Sequence, residues 1–137
     1  MREGSDKRWR VYRAGMAAGQ QKQVLEGSYP TGYKDRMPTI LLSDRFKVWL
    51  KGLRDERAKA RITARLRAAS LGSFGDTKPV GSGISEMRIH YGPGYRLYYA
   101  RRGETIYLLL KGGDKASQAR DIQDAIAMLS SLDRSTP

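Results

Sequence analysis

Residues 85–121, SEMRIHYGPGYRLYYARRGETIYLLLKGGDKASQARD, decide how this chain folds. Up to residue 91 the run alternates by twos. Met87, Ile89 and Tyr91 fall on one face of a strand, and Glu86, Arg88 and His90 on the other, because successive side chains of a strand point to opposite faces. Gly92-Pro93-Gly94 makes a sharp corner. The next run sets Tyr95, Leu97 and Tyr99 on one face against Arg96 and Tyr98 on the other, and Arg102-Gly103 offers a tight turn into residues 105–111. Three strands joined by such short connections form an antiparallel meander. Its polar face carries Arg88, Arg96 and Tyr98, with Lys111 and Lys115 at the exit of the last strand, which amounts to a cationic surface on a sheet.

Upstream, residues 38–42 (PTILL) read as an edge or first strand, and Ser43 as the N-cap of a helix. Phe46, Trp49, Leu50 and Leu53 then recur at i, i+3, i+4 and i+7, the spacing of one helical stripe. A second helix is expected from Arg54 to about Leu71, with Ala58, Ile62, Leu66 and Ala69 inward and Gly72 as its stop. The two make a helical hairpin. Residues 73–83 read as a loop in which residues 77–80 can add a short strand. Downstream, Gly112-Gly113-Asp114 is expected to break the last strand. Asp114 or Ser117 then caps a helix whose apolar stripe is Ala119, Ile122, Ile126 and Leu129. The fold class is α+β: an antiparallel twisted sheet, helices on one face, a C-terminal helix, and the other sheet face open.

Residues 1–36 differ in kind. Arg2, Lys7, Arg8, Arg10 and Arg13 crowd the start, and the remainder is rich in Gly, Gln and Ser with weak periodicity. Such a segment has little apolar surface to offset the entropy of ordering, so a mobile basic extension is expected, alternatively a nucleic-acid arm. Met16 and Met37 are internal candidates for the start. The domain proper is residues 37–132, and 133–137 form a polar tail.

The chain of 137 residues carries a formal charge of +12, which points to a polyanionic partner. It has no cysteine and one histidine, so neither a disulfide framework nor a Cys or His metal cluster is expected, and no cofactor. No apolar run approaches the roughly 18–20 residues that span a bilayer. A cytoplasmic protein with no membrane partner is the expectation. The glycine pairs match neither GxGxxG nor a phosphate loop, and no GxSxG is present.

What remains suits phosphodiester transfer within RNA, where the 2′-hydroxyl is an internal nucleophile that the protein need only align while stabilising charge and moving two protons. Arg88 and Arg96 could clamp the phosphate, and Lys111 or Lys115 could stabilise charge or shuttle a proton. Arg54, Arg57, Arg61 and Arg65 share one helical stripe, which reads equally as a solvated face and as a phosphate contact, for which the guanidinium fork is apt. Tyr98 reads equally as core or as a base-stacking platform, and His90 as a surface histidine or a participant in RNA binding.

Three segments together resemble the RelE/ParE toxin superfamily, in its HigB-like branch of phage-type addiction module killer proteins. They are FKVWLKGLRDERAKARITARL from Phe46, GDTKPVGSGISEMRIHYGPGYRLYYA from Gly75, and LLLKGGDKASQARDIQDA from Leu108. The likeness covers residues 37–132; residues 1–36 have no counterpart in the compact members. It implies a compact RelE-like fold and the toxin half of a type II toxin-antitoxin pair. It also implies an endoribonuclease (mRNA interferase) that cuts mRNA in the ribosomal decoding site. The working basic residues would be Arg88, Arg96 and Lys115, with Lys111 nearby, and the arginine stripe would face rRNA. The implied partners are mRNA, the ribosome and a helix-turn-helix antitoxin, in a hetero-oligomer. The ParE branch shares the fold but poisons DNA gyrase, so a non-nuclease gyrase inhibitor is the alternative.

Overall fold

The computed structural model describes residues 9–12 and 37–135. The elements are β1 (Trp9–Tyr12), β2 (Thr39–Ser43), α1 (Asp44–Gly52), α2 (Glu56–Ser70), β3 (Thr77–Gly81), β4 (Ile84–Ile89), β5 (Tyr95–Arg102), β6 (Ile106–Asp114), a 3₁₀ turn (Lys115–Ser117) and α3 (Gln118–Ser135). The strands form one six-stranded sheet in the order β1-β2-β6-β5-β4-β3.

The meander β4-β5-β6 is antiparallel, with Met87 opposite Leu97 and Arg88 opposite Arg96. The sheet as a whole is mixed rather than antiparallel, because β2 lies parallel to β6. Nor is β2 the edge strand: β1 pairs outside it, Trp9 opposite Ser43. The strand β1 falls within residues 1–36, the expected mobile extension; the other residues of that segment lie outside the described ones. Two strands therefore precede α1 and α2, so the helical pair is not N-terminal. Each helix packs on the sheet, α1 on β6 and β2, α2 on β2.

Both sheet faces are covered. One core joins Phe46, Ala58, Ile62 and Leu66 from α1 and α2 to Met87, Leu97, Tyr99 and Leu109 of the strands. A second core sets Ala125, Ile122 and Leu129 of α3 against Ile84, Tyr98, Ala100, Leu108 and Leu110 on the opposite face. The face expected to stand open is the seat of α3. The apolar stripe of α3 is too wide to be left in water, and the small Ala100 and Ala125 let helix and sheet approach.

The last strand does not break at its glycines either; β6 runs on to Asp114. Gly112 and Gly113 are there to make room, for the Trp49 ring on one face and the Asp121 carboxylate on the other. The corner between β4 and β5 needs its glycines for a different reason: Gly92 (φ 57°) and Gly94 (φ 84°) adopt left-handed backbone that side chains disfavour.

Ser43 ties β2, α1 and β6 together. Its hydroxyl accepts from the Phe46 N–H at 3.0 Å, capping α1, and donates to the Leu110 carbonyl at 2.8 Å. Ser43→Ala removes a cap and leaves a buried carbonyl without its donor, so a loss of about 2 kcal/mol is expected, read as a lower urea midpoint at unchanged slope.

Candidate nucleic-acid interface

The glycine corner at residues 92–94 is the centre of the candidate interface. At its edge the Arg61 guanidinium, from α2, lies 4.5 Å from the centroid of the Tyr91 ring, a cation–π contact that leaves the arginine exposed. One turn toward the start of α2 stands Arg57, and Arg54 lies just before the helix; both are exposed and have no ion-pair partner among the described residues. The helix itself begins at Glu56 rather than Arg54, because the Asp55 carboxylate caps it by accepting from the N–H groups of Arg57 and Ala58 at 2.9 and 3.2 Å. Arg54 therefore precedes the helical stripe.

Arg65, expected on the same stripe, faces inward. Its fork donates to the carbonyls of Arg88 (2.6 Å), Phe74 (2.9 Å) and Asp76 (3.3 Å). It is a clasp between α2, the loop before β3 and the end of β4, so it is not available to RNA. Burial lowers its pKa from the usual arginine value, and three charge-assisted bonds to carbonyls are the compensation.

Across the loop, Arg88 and His90 share the Asp76 carboxylate. Arg88 Nη2 and Nε donate to Oδ1 at 2.7 and 3.2 Å, and His90 Nε2 lies 2.5 Å from Oδ2. The Arg88 N–H also donates to the Asp76 carbonyl at 2.8 Å, extending the β3–β4 pairing of Thr77 with Met87 by one residue. The hydrogen bond from Arg88, then that from His90, pulls the Asp76 carboxyl down to about 2. A group held below its unfolded value of roughly 3.9 contributes stability that is present above that value and fades as pH falls through the folded one. The urea midpoint of the wild type should therefore lose, between pH 4 and 2, a component that Asp76→Asn lacks.

Arg96 and Tyr98, expected on an open face, are buried beneath the start of α3. Arg96 is 9% exposed and Tyr98 fully buried, next to a Glu86 that is 1% exposed. Glu86 Oε1 accepts from Gln118 Nε2 at 2.7 Å and lies 3.9 Å from Arg96 Nε. Burial first, then the carboxylates of Glu86 and Asp121, pushes the Tyr98 hydroxyl far above the usual tyrosine range. Tyr98 is thus core rather than a stacking platform. Arg96 is the cation of a buried pair, turned away from any phosphate.

Lys111 is also spoken for: its ammonium lies 3.0 Å from Asp121 and also binds Asp124, both on α3. That bond holds the Asp124 carboxyl below its usual value. The two acids cancel the lysine charge and fasten α3 to β6, so Lys111 fits neither role expected of it. The Lys115 side chain, in contrast, is exposed, with no hydrogen bond or ion pair of its own among the described residues. Its Cβ lies close enough to Gly94 that a Cβ there would meet it at 3.5 Å.

The corner therefore gathers Arg61, Tyr91, His90 with Asp76 and Arg88, and Lys115, with Arg57 further along α2 and Arg54 just before that helix. Asp76 and Tyr91 were not singled out in the sequence; GDTKP places Asp76 opposite Arg88 once residues 77–81 are known to pair with β4. Among the described residues no acidic or histidine cluster could hold a metal, and no helix is long and apolar enough to cross a membrane.

Fold and surface together define a small α+β protein with a cationic, aromatic-edged rim at one end of a mixed sheet. Over 80 residues the chain is 46% identical to an uncharacterized protein of Haemophilus influenzae, a match spanning 58% of this chain and 81% of that one, and it belongs to the same family. No family model matches the chain, and no solved structure does.

Proposed function

We propose that this protein is the toxin of a type II toxin-antitoxin pair, RelE-like in fold, acting as a ribosome-dependent endoribonuclease that cleaves mRNA and arrests translation. The observation that carries the reading is the row Arg54, Arg57 and Arg61. Its charges are not cancelled by ion pairs among the described residues, and it ends at Tyr91 beside the Asp76, Arg88 and His90 cluster. A row of guanidinium groups suits the phosphates of a structured RNA, and the corner beside it suits one phosphodiester of a single strand. Of the residues implied by the family likeness, Arg88 and Lys115 stand where they can meet that phosphodiester. Arg96 and Lys111 support from beneath. A helix-turn-helix antitoxin would act by covering this rim.

The test is induction in a bacterial host without the antitoxin, with transcript ends mapped by primer extension. New ends within translated regions are expected, and they should be lost in an Arg54→Ala/Arg57→Ala chain, whose exposed substitutions leave the fold intact. Growth arrest with intact transcripts would transfer the protein to the gyrase-inhibitor reading, and no arrest would reject both.

A further inference from the structure

We infer that His90 is the catalytic base of this site, taking the proton from a ribose 2′-hydroxyl, and that Asp76 positions it. The inference rests on the ribonuclease reading above and gives it a proton acceptor, which neither Arg88 nor an exposed lysine supplies readily at neutral pH.

Three features support the assignment. The first is orientation: Asp76 Oδ2 sits 2.5 Å from His90 Nε2. An ionised carboxylate only accepts, so Nε2 carries a ring proton, and in the neutral ring the lone pair falls on Nδ1. The second is rigidity. Asp76 is gripped at its other oxygen by Arg88 and at its carbonyl by the Arg88 N–H and by Arg65. A base must be held within a few tenths of an ångström to act on a bound hydroxyl, and this carboxylate is fixed at both ends of the residue. The third is access: the His90 side chain is 71% exposed, at the mouth of the corner rather than beneath it. The charged and titratable groups around it are Asp76 and Arg88, Tyr91 next in the chain, and Arg61 above Tyr91 on α2.

Nδ1 removes the 2′-hydroxyl proton as the 2′-oxygen bonds to phosphorus. The bond from phosphorus to the 5′-oxygen breaks, and that oxygen takes a proton from a solvent water. The hydroxide so formed recovers the proton from the imidazolium, leaving a 2′,3′-cyclic phosphate, a 5′-hydroxyl and a neutral ring. Arg88, beside the base, meets the charge that builds on the equatorial oxygens.

Because the chain has one histidine, the assay is unambiguous. The full chain is given ribosomes programmed with a defined mRNA, and cleavage is timed for wild type, His90→Ala, and His90→Ala with added imidazole. A loss of about 100-fold or more is expected on losing a general base, with partial recovery in imidazole. In the free protein, ¹⁵N spectra of the single imidazole should show the Nε2–H tautomer, giving way to a mixture in Asp76→Ala. A His90→Ala chain that cuts as fast as wild type, or an Nδ1–H tautomer in the wild type, would overturn the assignment and leave the ribonuclease reading standing. Failure of the wild type to cut would remove both.

Discussion

Arg96→Ala lowers the unfolding free energy by about 3–5 kcal/mol. The reason is the residue left behind. Glu86 is 1% exposed, its Oε2 has no hydrogen-bond partner among the described residues, and Arg96 is the cation nearest to it, 3.9 Å from Oε1. Gln118 satisfies Oε1 alone, with a neutral amide. Without the guanidinium the carboxylate is left buried beside Tyr98 with a neutral amide as its hydrogen-bond partner, and an uncompensated buried charge opposes folding. Removing both charges avoids this penalty, so Glu86→Leu/Arg96→Met should recover most of what Arg96→Ala loses. Urea unfolding of the three variants at pH 7 measures the cycle. A loss under about 1 kcal/mol for Arg96→Ala would mean that the pair does not neutralise Glu86. The consequence for function is direct: loss of toxicity on mutating Arg96 would report an unfolded protein as readily as a lost phosphate clamp. The exposed arginines of α2 and His90 are the cleaner probes.

The placing of Arg96 also shows where reading by alternation stops. The strands β4 and β5, the start of β6, the glycine corner and the inward faces of both α1 and α2 follow from period and turn chemistry, and appear where those place them. Alternation also separated Met87, Leu97 and Tyr99 from Glu86, Arg96 and Tyr98 correctly. What it does not contain is what covers the second set, because a polar face looks the same whether water or another polar element lies against it. Here Gln118 and Asp121, at the start of α3, provide that element. A β-bulge hides a second part. Tyr98 pairs with Lys111 but Tyr99 with Leu109, so Leu110 and Lys111 both turn toward α3, and a strict count by twos misassigns whatever follows. The strand β1 is a third, since a four-residue WRVY run amid basic residues has no periodicity long enough to register. Arg65 is the last: nothing in helical spacing distinguishes it from Arg61, and only the carbonyls of three distant residues turn it inward.

Gly113→Ala should cost about 3 kcal/mol or more, and the loss should be felt at the candidate site as well as in stability. A Cβ at position 113 would overlap Asp121 Oδ2 and stand 3.1 Å from Ser117 Oγ. The carboxylate cannot step aside freely. It is 3% exposed, accepts from the Ser117 hydroxyl at 2.5 Å, and holds the Lys111 ammonium at 3.0 Å. Displacing it leaves Lys111 with Asp124 alone and pries the first turn of α3 from β6, and with it the 3₁₀ turn that carries Lys115. Gly112→Ala meets a comparable obstacle on the other face, the Trp49 ring. That ring packs edge-on against Tyr95, whose backbone closes the glycine corner. Gly52→Ala is the internal control: it ends α1 with nothing within 4 Å of an added Cβ, so a gain of a few tenths of a kcal/mol is expected there. Urea midpoints for the three alanine variants separate the cases. Equal midpoints for positions 113 and 52 would mean that α3 does not rest on β6 through Asp121. A large loss at 113 would instead mark this glycine pair as what allows a helix end, a lysine and two acids to assemble directly behind the glycine corner.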